Sequence, residues 1–181
     1  MKNKKGIHSL DLAYIGLFIA LMAICSWISI PMAVPFTMQT FAVFAAVLML
    51  GTKRAFITVL TYILLGLLGV PVYSNFGAGA GVLFGNAGGY IIGFLFLVPV
   101  TGLLIDKFGK KLWLKMVAML LGLLVCYGFG TLWFIYIYGR ANGEIGLVAS
   151  LTMCVLPYMV PDLVKIGLAL ALERRLARFI R

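Results

Sequence analysis

Long apolar runs alternate with short polar or glycine-rich breaks along this chain of 181 residues. Six runs have the length and character of membrane-spanning helices, at residues 12–30, 37–50, 55–70, 90–105, 112–138 and 158–175. A helix needs about 20 predominantly apolar residues to cross the hydrocarbon core of a bilayer. The pattern therefore predicts an all-α integral membrane protein with six transmembrane helices in a single membrane domain, 1–181. The second and third runs are short, and a re-entrant hairpin is the alternative for that pair.

The breaks between the runs define the predicted loops. Residues 71–89 include six closely spaced glycines, and glycine at this density disfavours a helix, so this stretch is predicted to be an outer loop. Pro157 and Pro161 divide the last apolar stretch, which predicts a short outer helix at 147–156 before the sixth span. The first run follows a basic tail but is longer than a signal-peptide core and has no convincing cleavage site after it. We interpret it as a retained helix.

Composition and charge agree with this interpretation. Hydrophobic residues make up 64% of the chain and charged residues 11%, against about 45–50% and about 25% in soluble domains, which excludes a soluble enzyme or DNA-binding domain. Lys and Arg number 15 against 5 acidic residues. With a cytoplasmic N-terminus, all but Arg140 and Lys165 fall on the inner side. This asymmetry predicts cytoplasmic N- and C-termini in the cell membrane, and it explains the net charge of +10 without nucleic acid.

Motifs for catalysis or metal binding are absent from the sequence. It contains no phosphate-binding GxxxxGK[ST], no GxSxG and no HExxH, and its one histidine, His8, precedes the first span. Its three cysteines, Cys25, Cys126 and Cys154, each stand alone in an apolar stretch and are interpreted as small buried hydrophobic residues. We therefore predict a protein that is not an enzyme, with no catalytic residues, no metal and no cofactor.

Asp162 and Lys165 are the most informative residues because they lie inside the sixth span. They are three positions apart and so share one helix face. An ionisable group within a span is unfavourable by several kcal/mol and usually faces a cavity or a partner. One interpretation is a mutual ion pair that fixes the sixth helix. The other is a ligand site, in which Lys165 holds an anionic group and Asp162 accepts hydrogen bonds from N–H donors.

Two amides and several aromatic residues are further candidates. Asn86 lies between Gly85 and Gly88-Gly89, where backbone segments approach closely, and it is either a ligand contact or a turn former. Gln39 is a lone amide early in the second span and binds either a ligand or a neighbouring helix. Five aromatic residues near the outer side form an interfacial belt or wall an apolar pocket: Trp27, Phe36, Tyr73, Tyr90 and Tyr158.

Small residues also form a face on the first span. Gly16 and Ala20 are four positions apart, and small residues at this spacing let helices approach closely. This face either packs within the protein or docks a partner subunit.

Four stretches of the sequence together resemble the BioY family, the biotin-binding S components of energy-coupling factor (ECF) transporters. They are Ile28-Ser29-Ile30-Pro31 leading to Pro35-Phe36-Thr37-Met38-Gln39-Thr40, then Gly69-Val70-Pro71-Val72-Tyr73, then Gly85-Asn86-Ala87-Gly88-Gly89-Tyr90-Ile91-Ile92-Gly93-Phe94, and finally Leu156-Pro157-Tyr158 followed by Asp162-Leu163-Val164-Lys165. Their order and spacing cover nearly the whole chain.

The resemblance implies a six-helix S component that captures biotin at the outer face. Such a subunit has no ATPase of its own and docks on a membrane coupling subunit, which sits on two cytoplasmic ATPases. Gly16 and Ala20 occupy the place of the docking face. The resemblance also implies a substrate-binding set: Asp162, Lys165, Asn86, Gln39, Tyr90, Gly88 and Gly89. In it, Asp162 and Asn86 are expected to meet the ureido ring, and Lys165 the carboxylate.

Other functions remain open on the residues alone. An S component for a different vitamin is a close variant. One ion pair inside the membrane is also compatible with a stand-alone ion-coupled carrier. A membrane scaffold protein with no ligand is the third alternative.

Overall fold

The computed structural model describes residues 8–109 and 111–176. Within these residues the chain forms eight α-helices and one two-stranded hairpin. The helices are α1 (Ser9–Trp27), α2 (Gln39–Leu50), α3 (Thr52–Leu67), α4 (Ala80–Leu83), α5 (Gly88–Phe108), α6 (Leu112–Asn142), α7 (Leu147–Cys154) and α8 (Leu156–Leu176). The strands β1 (Ser29–Ile30) and β2 (Phe36–Thr37) pair antiparallel. The predicted all-α architecture is confirmed.

Helix α2 lies at the centre of the bundle. Its residues 42–47 are all buried, and it packs against α1, α3, α5 and α8. Helices α5 and α6 form an extensively packed antiparallel pair beside it. The only polar residues of α2 are Gln39 and Thr40, in its first turn, and the rest of the helix is apolar on every face. The first turn forms part of a pocket.

Each of the six predicted spans corresponds to a helix, although not every helix has the length of a span. Three helices of the described chain, α1, α5 and α6, are long and apolar enough to cross a membrane, and α7 with α8 makes a fourth if this pair, bent by 42°, is counted as one span. With 12 and 16 residues, α2 and α3 fall short of the roughly 20 residues that a straight span needs. The six-span count and the orientation of the termini stay predictions.

Polar side chains link the helices at one end of the bundle, called here the basic end. Arg54 of α3 pairs with Asp11 of α1 at 2.9 Å, and the hydroxyl of Thr52 donates to Asp106 of α5 at 2.8 Å. Lys115 of α6 pairs with Glu173 of α8 at 2.5 Å, outside the span centres. The basic residues predicted to be cytoplasmic therefore collect at this end, as far as the chain is described. Lys2, Lys4, Lys5, Lys110, Arg178 and Arg181 lie outside the described residues.

The opposite end, called here the pocket end, carries the β1–β2 hairpin and the glycine-rich segment. Tyr73 of this segment is fully buried, and its hydroxyl donates to the Ile63 carbonyl at 2.8 Å. Burial raises the pKa of Tyr73 to about 12, so the phenol stays a neutral donor at physiological pH. The Val72 carbonyl accepts from both Ser26, at 2.5 Å, and Tyr62, at 2.6 Å. These bonds fasten the segment to α1 and α3.

Local structure differs from the prediction in two places. The stretch 71–89, predicted as loop, contains a single 3₁₀ turn, Ser74–Phe76, and the short helix α4, and α5 begins already at Gly88. The break before the last span lies at Val155, not at Pro157. Proline is accommodated in the first turn of a helix, where its missing N–H would have no intrahelical partner, so α8 includes Pro157 near its start.

Candidate ligand-binding site

A pocket opens among α2, α5, α6 and α8 near the pocket end. Its walls come from the first turn of α2, from Tyr90 on α5, from Tyr127 on α6 and from Asp162 and Lys165 on α8. The hairpin link, through Val34 and Pro35, forms another part of its lining. The space outside protein atoms is about 640 Å³, part of which is open to the exterior.

A buried polar cluster on α8 and α6 occupies one wall of this pocket. Asp162 and Lys165 are each only 3% exposed, and the Lys165 ammonium donates to Asp162 Oδ1 at 2.7 Å. The hydroxyl of Tyr127 donates to Asp162 Oδ2. Both carboxylate oxygens thus have one donor each, and the charges of the two residues cancel. The structure therefore shows the ion pair and also places it on the pocket wall, so the two interpretations of this pair are compatible.

The hairpin packs against this cluster from the side of α2. The Lys165 ammonium lies 4.3 Å from the centre of the Phe36 ring, within the range of a cation–π contact. The hydroxyl of Tyr158 on α8 donates to the Val34 carbonyl of the link between β1 and β2. The side chains of Phe36 and Tyr158 also pack together, with ring centres 6.2 Å apart. These contacts set the position of the hairpin over the helices that carry the cluster.

Gln39 contributes a polar group that the protein does not satisfy. It is the first residue of α2, is 5% exposed and lines the pocket. Its Nε2 atom is buried and has no hydrogen-bond partner among the described residues. Burying an amide donor without a partner is unfavourable by about 1–3 kcal/mol. A group from a bound ligand would relieve this deficit.

The structure brings four of the seven predicted substrate-binding residues to the pocket: Asp162, Lys165, Gln39 and Tyr90. Asn86 is half-buried in the turn before α5 and does not line the pocket.

Gly88 and Gly89 lie outside the pocket lining as well, and their own packing accounts for them. A Cβ at Gly88 would lie 1.6 Å from the Leu83 carbonyl oxygen, and one at Gly89 would lie 2.3 Å from Trp133 Cβ. Glycine is therefore required at both positions by the approach of neighbouring residues. Any contact with ligand from these two residues stays a prediction.

The predicted docking residues lie on an open face of α1. Both Gly16 and Ala20 are exposed, and a Cβ added at Gly16 would meet no atom within 4 Å. Within the described chain, therefore, no contact at Gly16 supports the interpretation that this face packs inside the protein.

Several pocket residues escaped sequence reasoning. Tyr127 is one aromatic residue in a long apolar run, and nothing in its local pattern marks it as the partner of Asp162. Thr37 and Thr40 line the pocket beside Gln39, but threonine is common near helix starts for structural reasons. Cys126 and Cys154 are buried as predicted, and they also contribute to the pocket lining. Only their placement next to Tyr90 and Asp162 in the folded chain reveals this.

Comparisons with known proteins agree on one family. The model of the BioY family matches residues 1–181. A biotin transporter BioY of Thermotoga maritima is 37% identical over 166 residues, covering 90% of this chain and 93% of that protein. A probable biotin transporter BioY of Pyrococcus horikoshii is 35% identical over 167 residues, covering 92% and 95%.

A solved structure extends this agreement to the fold. The structure, described as the S-component for biotin from an ECF-type ABC transporter, matches with a TM-score of 0.83 and 26% identity. The match covers 98% of this chain and 95% of that one. The family model, the two relatives and the solved structure thus agree over nearly the full length of the chain, and the chain belongs to the BioY family.

Proposed function

We propose that this protein is the biotin-capturing S component of an ECF-type importer. The observation that carries the proposal is the buried Asp162–Lys165 pair on the wall of a pocket, in a chain of the BioY family. The two relatives described above are named a biotin transporter and a probable biotin transporter, and the matched solved structure is described as an S component for biotin. Biotin is proposed to be a transported ligand and not a cofactor.

The chemistry of the polar cluster fits the ureido ring of biotin. This ring is uncharged and offers N–H donors beside a carbonyl acceptor. Asp162 can accept from an N–H group, and Lys165 has two further N–H donors for the carbonyl once one is used on Asp162. Because the pair is neutral as a whole, a neutral polar ring adds no net charge there, whereas a carboxylate would leave the buried cluster with a net negative charge.

The remaining wall of the pocket suits the apolar part of biotin. Aromatic and aliphatic side chains, including Tyr90, Ile91, Phe94 and Leu123, line it. They offer an apolar surface to the sulfur-containing ring and to the aliphatic chain. Ligand sites are typically apolar walls with a few placed polar groups of this kind.

Transport requires partners that this chain does not supply. We infer that it resides in the cell membrane with its pocket end outward, consistent with the basic residues at the opposite end. ATP hydrolysis belongs to two cytoplasmic ATPases, which act through a membrane coupling subunit. The open face of α1 at Gly16 and Ala20 is proposed to dock that subunit.

The test replaces Lys165 by alanine and measures equilibrium binding of biotin to the detergent-purified protein. We expect Lys165→Ala to weaken binding at least tenfold, about 1.4 kcal/mol, because it removes a donor to the ligand. Lys115→Ala is the matched control, since it also breaks an ion pair but lies away from the pocket. Unchanged affinity in a folded Lys165→Ala protein would remove this residue from the site.

A further inference from the structure

The turn between α5 and α6 exposes aromatic and basic side chains together at the basic end. Phe108 and Trp113 are 57% and 60% exposed. Lys107 and Lys111 are exposed beside them, and the Lys107 ammonium lies 5.3 Å from the centre of the Phe108 ring. Because α5 and α6 are both long and apolar enough to cross a membrane, the turn that joins their ends is placed at the level of the lipid headgroups.

The end of α8 adds two more cations beside this turn. The Lys115 ammonium pairs with Glu173 at 2.5 Å, and the Lys115 backbone N–H donates to the Lys111 carbonyl at 3.1 Å, so α8 meets α6 within one helical turn of Lys111. Arg174 and Arg175 follow Glu173 directly and are exposed. The turn and the end of α8 together are called here the basic–aromatic patch, which consists of Lys107, Phe108, Lys111, Trp113, Arg174 and Arg175.

The acidic side chains near the basic–aromatic patch do not balance its positive charge. Glu173 is paired with Lys115, and Asp106 accepts a hydrogen bond from Thr52. None of the four cations of the patch forms a salt bridge within residues 8–109 and 111–176. The patch therefore carries a net positive charge, and a partner that is complementary to it is anionic.

The exposed aromatic rings of the patch favour a lipid surface over a soluble acidic protein. Tryptophan is enriched where a membrane meets water, because its ring is apolar and its N–H is polar. Lysine and arginine keep their charges at headgroup level while their aliphatic stems contact apolar surface. A cluster of Lys and Arg immediately beside a spanning helix attracts anionic lipids.

We propose that the basic–aromatic patch binds anionic phospholipid headgroups in the leaflet at the basic end. The rings of Phe108 and Trp113 rest in the interface, and the four cations contact the lipid phosphates. This interaction is separate from the capture of biotin, because no residue of the patch lines the pocket.

The test measures which lipid lies beside Trp113. The protein is reconstituted into phosphatidylcholine nanodiscs that contain either brominated phosphatidylglycerol, which is anionic, or brominated phosphatidylcholine at the same mole fraction. Bromine quenches the fluorescence of nearby tryptophan, and the Trp113 contribution is obtained as the difference from a Trp113→Phe variant. We expect brominated phosphatidylglycerol to quench Trp113 more strongly, and we expect this preference to weaken as sodium chloride screens the charges.

Charge-removing variants identify the residues responsible. Each Lys or Arg near an anionic surface changes the affinity roughly fivefold, so Lys107→Gln combined with Lys111→Gln should remove most of the preference. Arg174→Gln combined with Arg175→Gln is a second variant with the same expected effect. Arg140→Gln is the matched control, because that guanidinium also lies over an aromatic ring, 5.2 Å from the centre of Tyr136, but near the other end of α6. Unfolding in detergent checks that each variant is folded.

Equal quenching by the two brominated lipids at low salt would overturn the proposal and leave the patch to an acidic protein partner. A preference that survives both double replacements would overturn it as well. Glycerol phosphate, which carries a phosphate without acyl chains, should lower the preference no more than sodium chloride of the same ionic strength. A larger effect would assign the patch to free phosphates instead. Failure of the proposed function is a different result, in which the unmodified protein binds no biotin while the quenching of Trp113 is unchanged.

Discussion

Replacement of Gly130 by alanine tests how closely the α5–α6 pair determines the shape of the pocket. A Cβ at this position of α6 would lie 2.4 Å from Cδ1 and 2.5 Å from Cε1 of Tyr90. The Tyr90 ring lines the pocket, and its hydroxyl forms a 3.1 Å hydrogen bond with Thr131. The ring cannot move away from the new methyl group without breaking this bond, entering the pocket or separating the two helices.

The magnitude follows from the opposing effects of the added methyl group. Overpacking of this kind typically lowers the free energy of unfolding by about 1–3 kcal/mol. Alanine in place of glycine within a helix recovers up to about 1 kcal/mol. Gly128, two residues earlier on α6, is the matched control, because a Cβ there meets no atom within 4 Å. The helix-propensity gain is common to both variants, so their difference should be about 1–3 kcal/mol.

The assay combines unfolding in detergent with equilibrium binding of biotin. We expect Gly130→Ala to be less stable than Gly128→Ala and to bind biotin more weakly, since the displaced Tyr90 ring reduces the pocket. Gly128→Ala should bind as the unmodified protein does. Equal stability and equal affinity of the two variants would show that Gly130 does not pack closely against Tyr90.

Two further predictions separate structural from functional roles. Asp162→Asn should lower the free energy of unfolding by about 3–5 kcal/mol, because it leaves the Lys165 ammonium buried without a charged partner. The double replacement Asp162→Asn with Lys165→Met should restore much of the stability, measured by the same unfolding assay, but not the binding of biotin; recovery of both would make the pair purely structural. Gly16→Leu should spare biotin binding and block co-purification with the coupling subunit, whereas Gly167→Leu, also on an open helix face, should do neither. Normal co-purification of the Gly16 variant would remove the docking role from α1.

The all-α architecture could be predicted because the length of each apolar run is a local property of the sequence. Helix boundaries were harder to predict in the glycine-rich segment and next to proline. Glycine density predicted a loop at 71–89, yet α4 forms there as a single short turn of helix between the segment tied down by Tyr73 and the start of α5. Pro157 predicted a helix boundary, yet proline fits the first turn of α8 and the break lies before it, at Val155.

The site could be predicted where a residue contrasts with its surroundings. Asp162, Lys165 and Gln39 stand out as polar residues in apolar runs, and all three line the pocket. Tyr127 could not be predicted, because its role comes from the packing of α6 against α8. This packing brings Tyr127 to Asp162, which is 35 residues away in the sequence. Asn86 does not line the pocket, and its contact with ligand stays a prediction, because a glycine-rich setting indicates that backbone segments approach closely but not which group they meet.

Equilibrium binding of biotin to the purified, unmodified protein is the decisive test of its proposed function. Desthiobiotin, which keeps the ureido ring and the carboxylate but lacks sulfur, and thiamine, a cationic vitamin, serve as comparison ligands. We predict saturable one-to-one binding of biotin, weaker binding of desthiobiotin and none of thiamine. A folded sample that binds no biotin, or binds thiamine equally well, would contradict the assignment of this pocket to biotin.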